Sequence, residues 1–183
     1  MSSSCVRSDL PRVTEILRGA GLVDSSWFTD EARDRGTAVH QACQYLAERA
    51  LDWDSLHGSI RGRVSSFNAF LSEMRPEILA TEERVESLSH GYRGTPDLRL
   101  RLDGREGVAD LKPPTEAPWH AIQLAAYAGA YDRPMKRWNI YLADTGRYRI
   151  VERKSREDWK VFLAALTIHN WRGRNGQPDD SNA

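Results

Sequence analysis

Asp110 and Lys112 stand two residues apart in Val108-Ala109-Asp110-Leu111-Lys112, so on a β-strand both side chains leave the same face. Asp97, in Gly94-Thr95-Pro96-Asp97, lies one hairpin earlier and can bring a second carboxylate to that face. Two carboxylates and an ammonium at a sheet edge suit a Mg²⁺ or Mn²⁺ ion that activates water against a phosphodiester. A strand-end Asp and Lys on their own could be a surface ion pair of little energetic weight. The Gly94–Asp97 segment favours the metal reading. Pro96 forces Thr95 to be extended, and Gly94 permits a bend that seats Asp97 close to Asp110. Carboxylates that close repel unless a cation lies between them.

Other residues converge on the same chemistry. His40 falls on a helical segment, Arg35-Gly36-Thr37-Ala38-Val39-His40. A lone helical His is more often a surface or satisfied core residue, but imidazole is an acceptable ligand for Mn²⁺ and less natural for Mg²⁺. Gly36 inside that helix costs about 1 kcal/mol relative to Ala, which implies close approach to another backbone. Gln123 and Tyr127 are an i, i+4 pair and share a helical face. They read either as a core Tyr beside an exposed Gln, or as an amide and a phenol that bond a phosphate or orient the Lys112 neighbourhood. Glu82 and Glu83 lead a strand, and one of them could reach the site; Glu82 is the choice, three residues before Val85. Trp119, Trp138, Trp159 and Trp171 fit core or helix-face positions. For Trp119, beside the site, stacking on an unpaired base is the second reading.

These side chains need a scaffold. Pro11 to Gly19 predicts a short helix with Val13, Ile16 and Leu17 on one side. Thr29-Asp30-Glu31 starts a second helix, running to about Leu51 with Ala38, Val39, Ala42, Tyr45 and Leu46 at helical spacing. A third spans about Ser55 to Met74, with Ile60, Val64, Phe67, Phe70 and Leu71 inward and Pro76 just past its end. The period then changes. Glu82 to Ser87 and Tyr92 to Leu102 read as extended, Leu98, Leu100 and Leu102 alternating with polar residues. Asp103-Gly104 signals a tight turn, and Gly107 to Lys112 returns antiparallel until Pro113-Pro114. Pro118 opens a helix to about Tyr131. Trp138 to Ala143 and Arg147 to Val151 pair around Asp144-Thr145-Gly146. Ser155 and Asp158 resemble a capping box before a last helix that buries Trp159, Phe162, Leu163 and Leu166. The order predicts an α/β fold: a central mixed β-sheet of about five strands flanked by helices, with an N-terminal helical segment.

The 183 residues fit one domain over 1–172, with a flexible polar tail at 173–183. No run approaches the roughly 20 apolar residues of a membrane span, and the N-terminus carries no apolar signal-peptide stretch. The expectation is a cytoplasmic protein. Cys5 and Cys43 lack metal-site spacing and read as reduced thiols. The formal net charge is zero, which argues against a general polyanion sponge while leaving local charge free to bind nucleic acid. Between Asp132 and Lys154 basic side chains outnumber acidic ones seven to three, and Arg7, Arg12 and Arg18 form a thinner scatter. A solvated surface explains either group as well as a DNA track does.

The ordered set resembles the PD-(D/E)XK nuclease superfamily, in its RecB-like and phage-exonuclease-like branch. Gly36 to His40 is similar to that branch's helical G-x-x-x-H element, Gly94 to Asp97 to its GxxD strand, Asp110 to Lys112 to its DxK, and Gln123 to Tyr127 to its QxxxY helix. The opening Leu10-Pro11-Arg12-Val13-Thr14-Glu15-Ile16-Leu17 also resembles the lead-in of phage members. The likeness covers roughly residues 10 to 170, and its strength lies in the order of motifs that are each weak alone. It implies a restriction-endonuclease-like core and a Mg²⁺- or Mn²⁺-dependent DNA nuclease, an exonuclease of phage or recombination and repair type. His40, Asp97 and Asp110 would ligate the cation with the Leu111 carbonyl, Lys112 would handle the attacking water, and Gln123 and Tyr127 would support the site and contact DNA. Pro113-Pro114 departs from the Thr or Ser commoner after DxK, and the cysteines of Cas4-type iron–sulfur members are missing. The rivals are a nicking or structure-specific endonuclease or RNA nuclease of the same fold, and a nucleic-acid-binding module that does not cut. Processive action would call for a homo-oligomer or a recombination or replication partner.

Overall fold

The computed structural model describes residues 10–23 and 29–176. In chain order the elements are α1 (Val13–Gly19), α2 (Asp30–Ala47), α3 (Gly58–Met74), β1 (Glu77–Thr81), β2 (Val85–Ser87), β3 (Tyr92–Gly94), β4 (Leu98–Leu102), β5 (Arg105–Lys112), α4 (Trp119–Ala128), β6 (Lys136–Leu142), β7 (Tyr148–Glu152) and α5 (Glu157–Asn175). Five strands form a mixed sheet in the order β1-β4-β5-β6-β7, while β2 and β3 make a separate two-stranded ribbon. Only β5 and β6 run parallel, because α4 carries the chain back between them; the other central pairs are antiparallel.

Strand alternation divides the sheet between two apolar layers. Leu98, Leu100, Leu102, Ala109, Leu111, Trp138, Ile140 and Leu142 pack against Val39, Cys43, Val64, Phe67 and Phe70 of α2 and α3. On the opposite face Val108 joins Ile16 and Leu17 of α1, Leu124 and Tyr127 of α4, and Phe162 and Leu166 of α5. Burying one such Leu or Phe contributes about 1.5–3 kcal/mol. The period of two therefore puts Asp110, Lys112, Asn139 and Tyr141 on the α4 side of the sheet.

Local chemistry accounts for the element ends. Thr29 caps α2 by accepting from the Ala32 N–H at 3.1 Å. That helix stops at Ala47 rather than near Leu51: Arg49 adopts φ +60°, and the Arg49 and Ala50 N–H groups reach back to the Leu46 and Tyr45 carbonyls, a Schellman closure. Tyr45, named with Ala38, Val39, Ala42 and Leu46 at helical spacing, is 43 % exposed. The β4–β5 hairpin turns on Asp103 and Gly104, both with positive φ, as a two-residue turn of this hand requires.

Several sequence expectations need correction. The strand Glu77–Thr81 was not foreseen, and Glu82–Ser87 is not one strand, because Glu82 takes φ +47° and turns the chain so that Val85–Ser87 pairs with Tyr92–Gly94. Tyr92–Leu102 is split at Thr95-Pro96, where proline offers no N–H to a ladder. Helix α3 begins at Gly58, not Ser55, and α4 ends at Ala128, not Tyr131. Ser155 forms no capping box: its hydroxyl accepts from the Glu157 N–H, and Asp158 pairs with Arg137. Helix α5 extends to Asn175, and residues 177–183 of the expected tail lie outside the described residues. Cys43 is buried and free; Cys5 and Arg7 also lie outside them. No described helix is long and apolar enough to cross a membrane.

Candidate active site

The site forms where the C-terminal end of β5 meets α2, α4 and the turn entering β4. Asp97 immediately precedes β4. Its Oδ2 accepts from the Leu111 N–H of β5 at 2.5 Å, and its Oδ1 lies 2.9 Å from Nδ1 of His40 on α2. The carboxylate is thus fixed from both sides, with its side chain 12 % exposed. Glu82 completes a cluster: ligand atoms of His40, Glu82 and Asp97 all lie within 4.8 Å of one another. The left-handed backbone at Glu82 and the bond from its N–H to the Asp97 carbonyl at 3.0 Å hold that residue beside Asp97. Glu83 turns the other way, to Arg99 at 2.7 Å and to the Tyr131 hydroxyl at 3.1 Å.

Asp110 and Lys112 stand next to this cluster. Lys112 Nζ lies 2.5 Å from Asp110 Oδ2, a buried ion pair. The ammonium donates to Gln123 Oε1 at 2.7 Å and sits 4.6 Å from the centre of the Trp119 ring. Gln123 Nε2 in turn donates to the Tyr127 hydroxyl at 2.9 Å. Both α4 side chains are buried, so their polar ends serve each other and Lys112.

The two motif glycines act differently from expectation. A Cβ on Gly94 would lie 2.6 Å from two carbons of the Tyr127 ring, and Gly94 has no positive φ; it makes room for Tyr127 rather than a bend. A Cβ on Gly36 would meet nothing within 4 Å. Among the described residues no backbone approaches it, and it lies along the open cleft.

The crowding of acids shows in their titration. Burial and the neighbouring Asp97 charge push Glu82 up to about 7. Burial, with Asp97 adding to it, pushes Asp110 up to about 6 against the pull of Lys112. Burial also works against ionised Asp97, but His40, Lys112 and the Leu111 N–H outweigh it and keep that carboxyl low. The Asp97 charge raises His40 to about 9 against its burial. Without a cation the cluster relies on protons to offset its negative charge. An imidazole and two carboxylates that converge in this way fit a divalent metal, and the imidazole tilts the set toward Mn²⁺.

The cluster opens into a cleft of 1470 Å³ between α1, α2 and the sheet end, with Leu111, Lys112 and Trp119 in its wall. Arg18, Arg33, Arg35, Arg63 and Arg172 also line it, so basic side chains outnumber the acids there although the whole chain is neutral. Sequence reasoning noted Arg18 alone. It also missed the polar group beside the pair Asp110 and Lys112. Arg153 donates to Asn139 Oδ1 at 2.8 Å, to the Tyr141 hydroxyl at 2.7 Å and to Glu116 at 2.5 Å, and His120 Nδ1 lies 3.2 Å from that hydroxyl. Polar residues at alternate positions of Trp138-Asn139-Ile140-Tyr141-Leu142 were the available signal.

No protein-family model matches the chain, and no curated protein matches it. Solved structures do. A protein from Eubacterium rectale, provisionally named an exonuclease, superposes with a TM-score of 0.61 over 97% of this chain and 88% of its own, at 13% identity. An alkaline exonuclease from Laribacter hongkongensis gives a TM-score of 0.44 over 91% of this chain and 93% of its own, at 12% identity. At such identity the first likeness establishes a shared fold.

Proposed function

We propose that this chain is a divalent-cation-dependent DNA nuclease, and within that class an exonuclease of the phage or recombination type. One observation carries the reading: the His40–Glu82–Asp97 cluster adjoins the chain Asp110–Lys112–Gln123–Tyr127 at the wall of a basic cleft. The cleft exceeds the roughly 300–1,000 Å³ of small-molecule pockets, and its arginines suit a polyanion. The fold shared with the Eubacterium rectale protein agrees with this reading.

His40, Glu82 and Asp97 would hold Mg²⁺ or Mn²⁺, with Asp110 and the Leu111 carbonyl at its edge. When bound, the cation supplies positive charge that polarises the scissile phosphate and acidifies the attacking water. Lys112, anchored by Gln123, presents an ammonium that steadies the water and the charge developing on the phosphate. Gln123 and Tyr127 position Lys112 from behind. Trp119 sets its ring against the Lys112 ammonium at the cleft wall.

The deciding experiment is a gel assay of end-labelled linear DNA beside covalently closed circles, with Mn²⁺, Mg²⁺ or EDTA. Metal-dependent loss of the linear DNA alone is expected. Cutting of both substrates would replace the exonuclease with an endonuclease, and cutting of neither DNA or RNA would overturn the nuclease reading.

A further inference from the structure

Among the described residues, Asn139 Nδ2 is a buried donor with no hydrogen-bond partner, and beside it Asp110 Oδ2 is a buried acceptor whose neighbour is the Lys112 ammonium at 2.5 Å. Asp110 and Asn139 are directly paired in the parallel β5–β6 register, and both point to the α4 face of the sheet. One atom is an acceptor and the other a donor. The orientation of the amide is settled by its surroundings, since Arg153 Nε donates to Asn139 Oδ1 at 2.8 Å and so leaves the NH₂ as the free end. Arg153 is itself held by Tyr141 and Glu116. Asn139 is fully buried between strand positions that carry core residues, where packing alone would favour an aliphatic side chain.

We infer that Asn139, clamped by Arg153, is a positioning residue whose amide N–H fixes the Asp110 carboxylate through one water, so that Asp110 keeps its orientation when a divalent cation enters. Lys112 Nζ pairs with Asp110 Oδ2 at 2.5 Å and supplies the neutralising charge, which leaves a second task, holding the rotation of the carboxylate from the β6 side. The amide does the second task. This inference rests on the proposed cation site, and partners of this kind typically change metal affinity or activity by about 10–100-fold.

The test is calorimetric titration of Mn²⁺ into wild type, Asn139→Asp and Asn139→Leu, each shown to be folded by its melting curve, alongside cleavage kinetics. The amide-to-carboxylate change keeps the shape and the bond to Arg153 but removes the donor. Both variants are expected to bind Mn²⁺ about tenfold more weakly or worse, with kcat reduced and KM for DNA unchanged. A residue that merely packs would lower the melting temperature and leave Mn²⁺ affinity alone. If the Asn139 variants do not fold, Arg153→Leu decides, with a several-fold loss of affinity expected. Wild-type affinity in whichever folded variant decides, or no Mn²⁺ binding by the wild type, overturns the inference. A wild type that binds Mn²⁺ but cuts nothing removes the nuclease reading and leaves this one standing. Variants that bind like wild type, beside a cutting wild type, do the reverse.

Discussion

Nδ1 of His40 lies 2.9 Å from Oδ1 of Asp97, a contact that ties α2 to the edge of β4 and couples the site to pH. The Asp97 charge raises His40 to about 9 from its ordinary 6.5. The folded state therefore holds a proton that the unfolded state releases between these values. The stabilisation is complete below pH 6.5 and is lost as pH rises through about 9. In EDTA, the melting-temperature advantage of wild type over His40→Ala should shrink across that window. Mn²⁺ should act in the opposite sense, because a ligating imidazole must be neutral: its stabilisation and the cleavage rate both rise with pH. Advantages that stay flat with pH would refute this role for His40.

Asp110 and Lys112 form a pair whose side chains are 4 % and 9 % exposed. Removing either partner leaves the other poorly compensated, at a cost on the order of 3 kcal/mol. Asp110→Ala and Lys112→Ala should melt earlier than wild type yet remain folded, because the two apolar layers are untouched and, in Asp110→Ala, Gln123 still receives the lysine. Cleavage should fall below detection in both. Circular dichroism with the gel assay checks this, and retained cutting by the folded double variant would remove these residues from the chemistry.

How much of this was readable in the sequence depended on whether the signal was local. Leu98, Leu100 and Leu102 announced β4 by alternation, Asp103-Gly104 fixed its turn, and the DxK spacing put Asp110 and Lys112 on one face. The choice of Glu82 over Glu83 rested on its spacing from Val85, which is not what places it. Its place follows from a left-handed backbone at Glu82 and from Arg99 drawing Glu83 away. Asn139 and Arg153 were equally hidden, since their meaning comes from the parallel pairing of β5 with β6 across an intervening helix. The break at Thr95-Pro96 was visible as a proline, but its result, a separate ribbon of β2 and β3, required knowing their partners.

The two motif glycines give a paired prediction with opposite signs. At Gly94 an added methyl would lie 2.6 Å from the Tyr127 ring, which must shift and drag its bond to Gln123. Gly94→Ala should cost about 1–3 kcal/mol and lower kcat through Lys112. At Gly36 the methyl meets open space within a helix, so Gly36→Ala should stabilise by about 0.5–1 kcal/mol. Denaturant unfolding of the two variants reads both. A destabilised Gly36→Ala would restore the close-approach reading of that residue.

The arginines along the cleft predict how substrate is held apart from how it is cut. Arg18 and Arg35 are exposed on α1 and α2 and line the cleft that leads to the cluster. A side chain that neutralises one phosphate releases about one counterion, so each contact contributes roughly 0.7–0.9 to the slope of log K against log salt. Arg35→Ala and Arg18→Ala should each weaken DNA binding in Ca²⁺, chosen to hold the complex without supporting cleavage, and each should flatten that slope by about one. The loss should be the same for unrelated DNA sequences, because a guanidinium on phosphate reads charge rather than bases. Melting temperature should stay within about 0.5 kcal/mol equivalents of wild type, as expected for exposed substitutions. Fluorescence anisotropy over a salt series provides the measurement. An unchanged slope in the double variant would place the DNA path elsewhere, with the basic residues between Asp132 and Lys154 as the next surface to test.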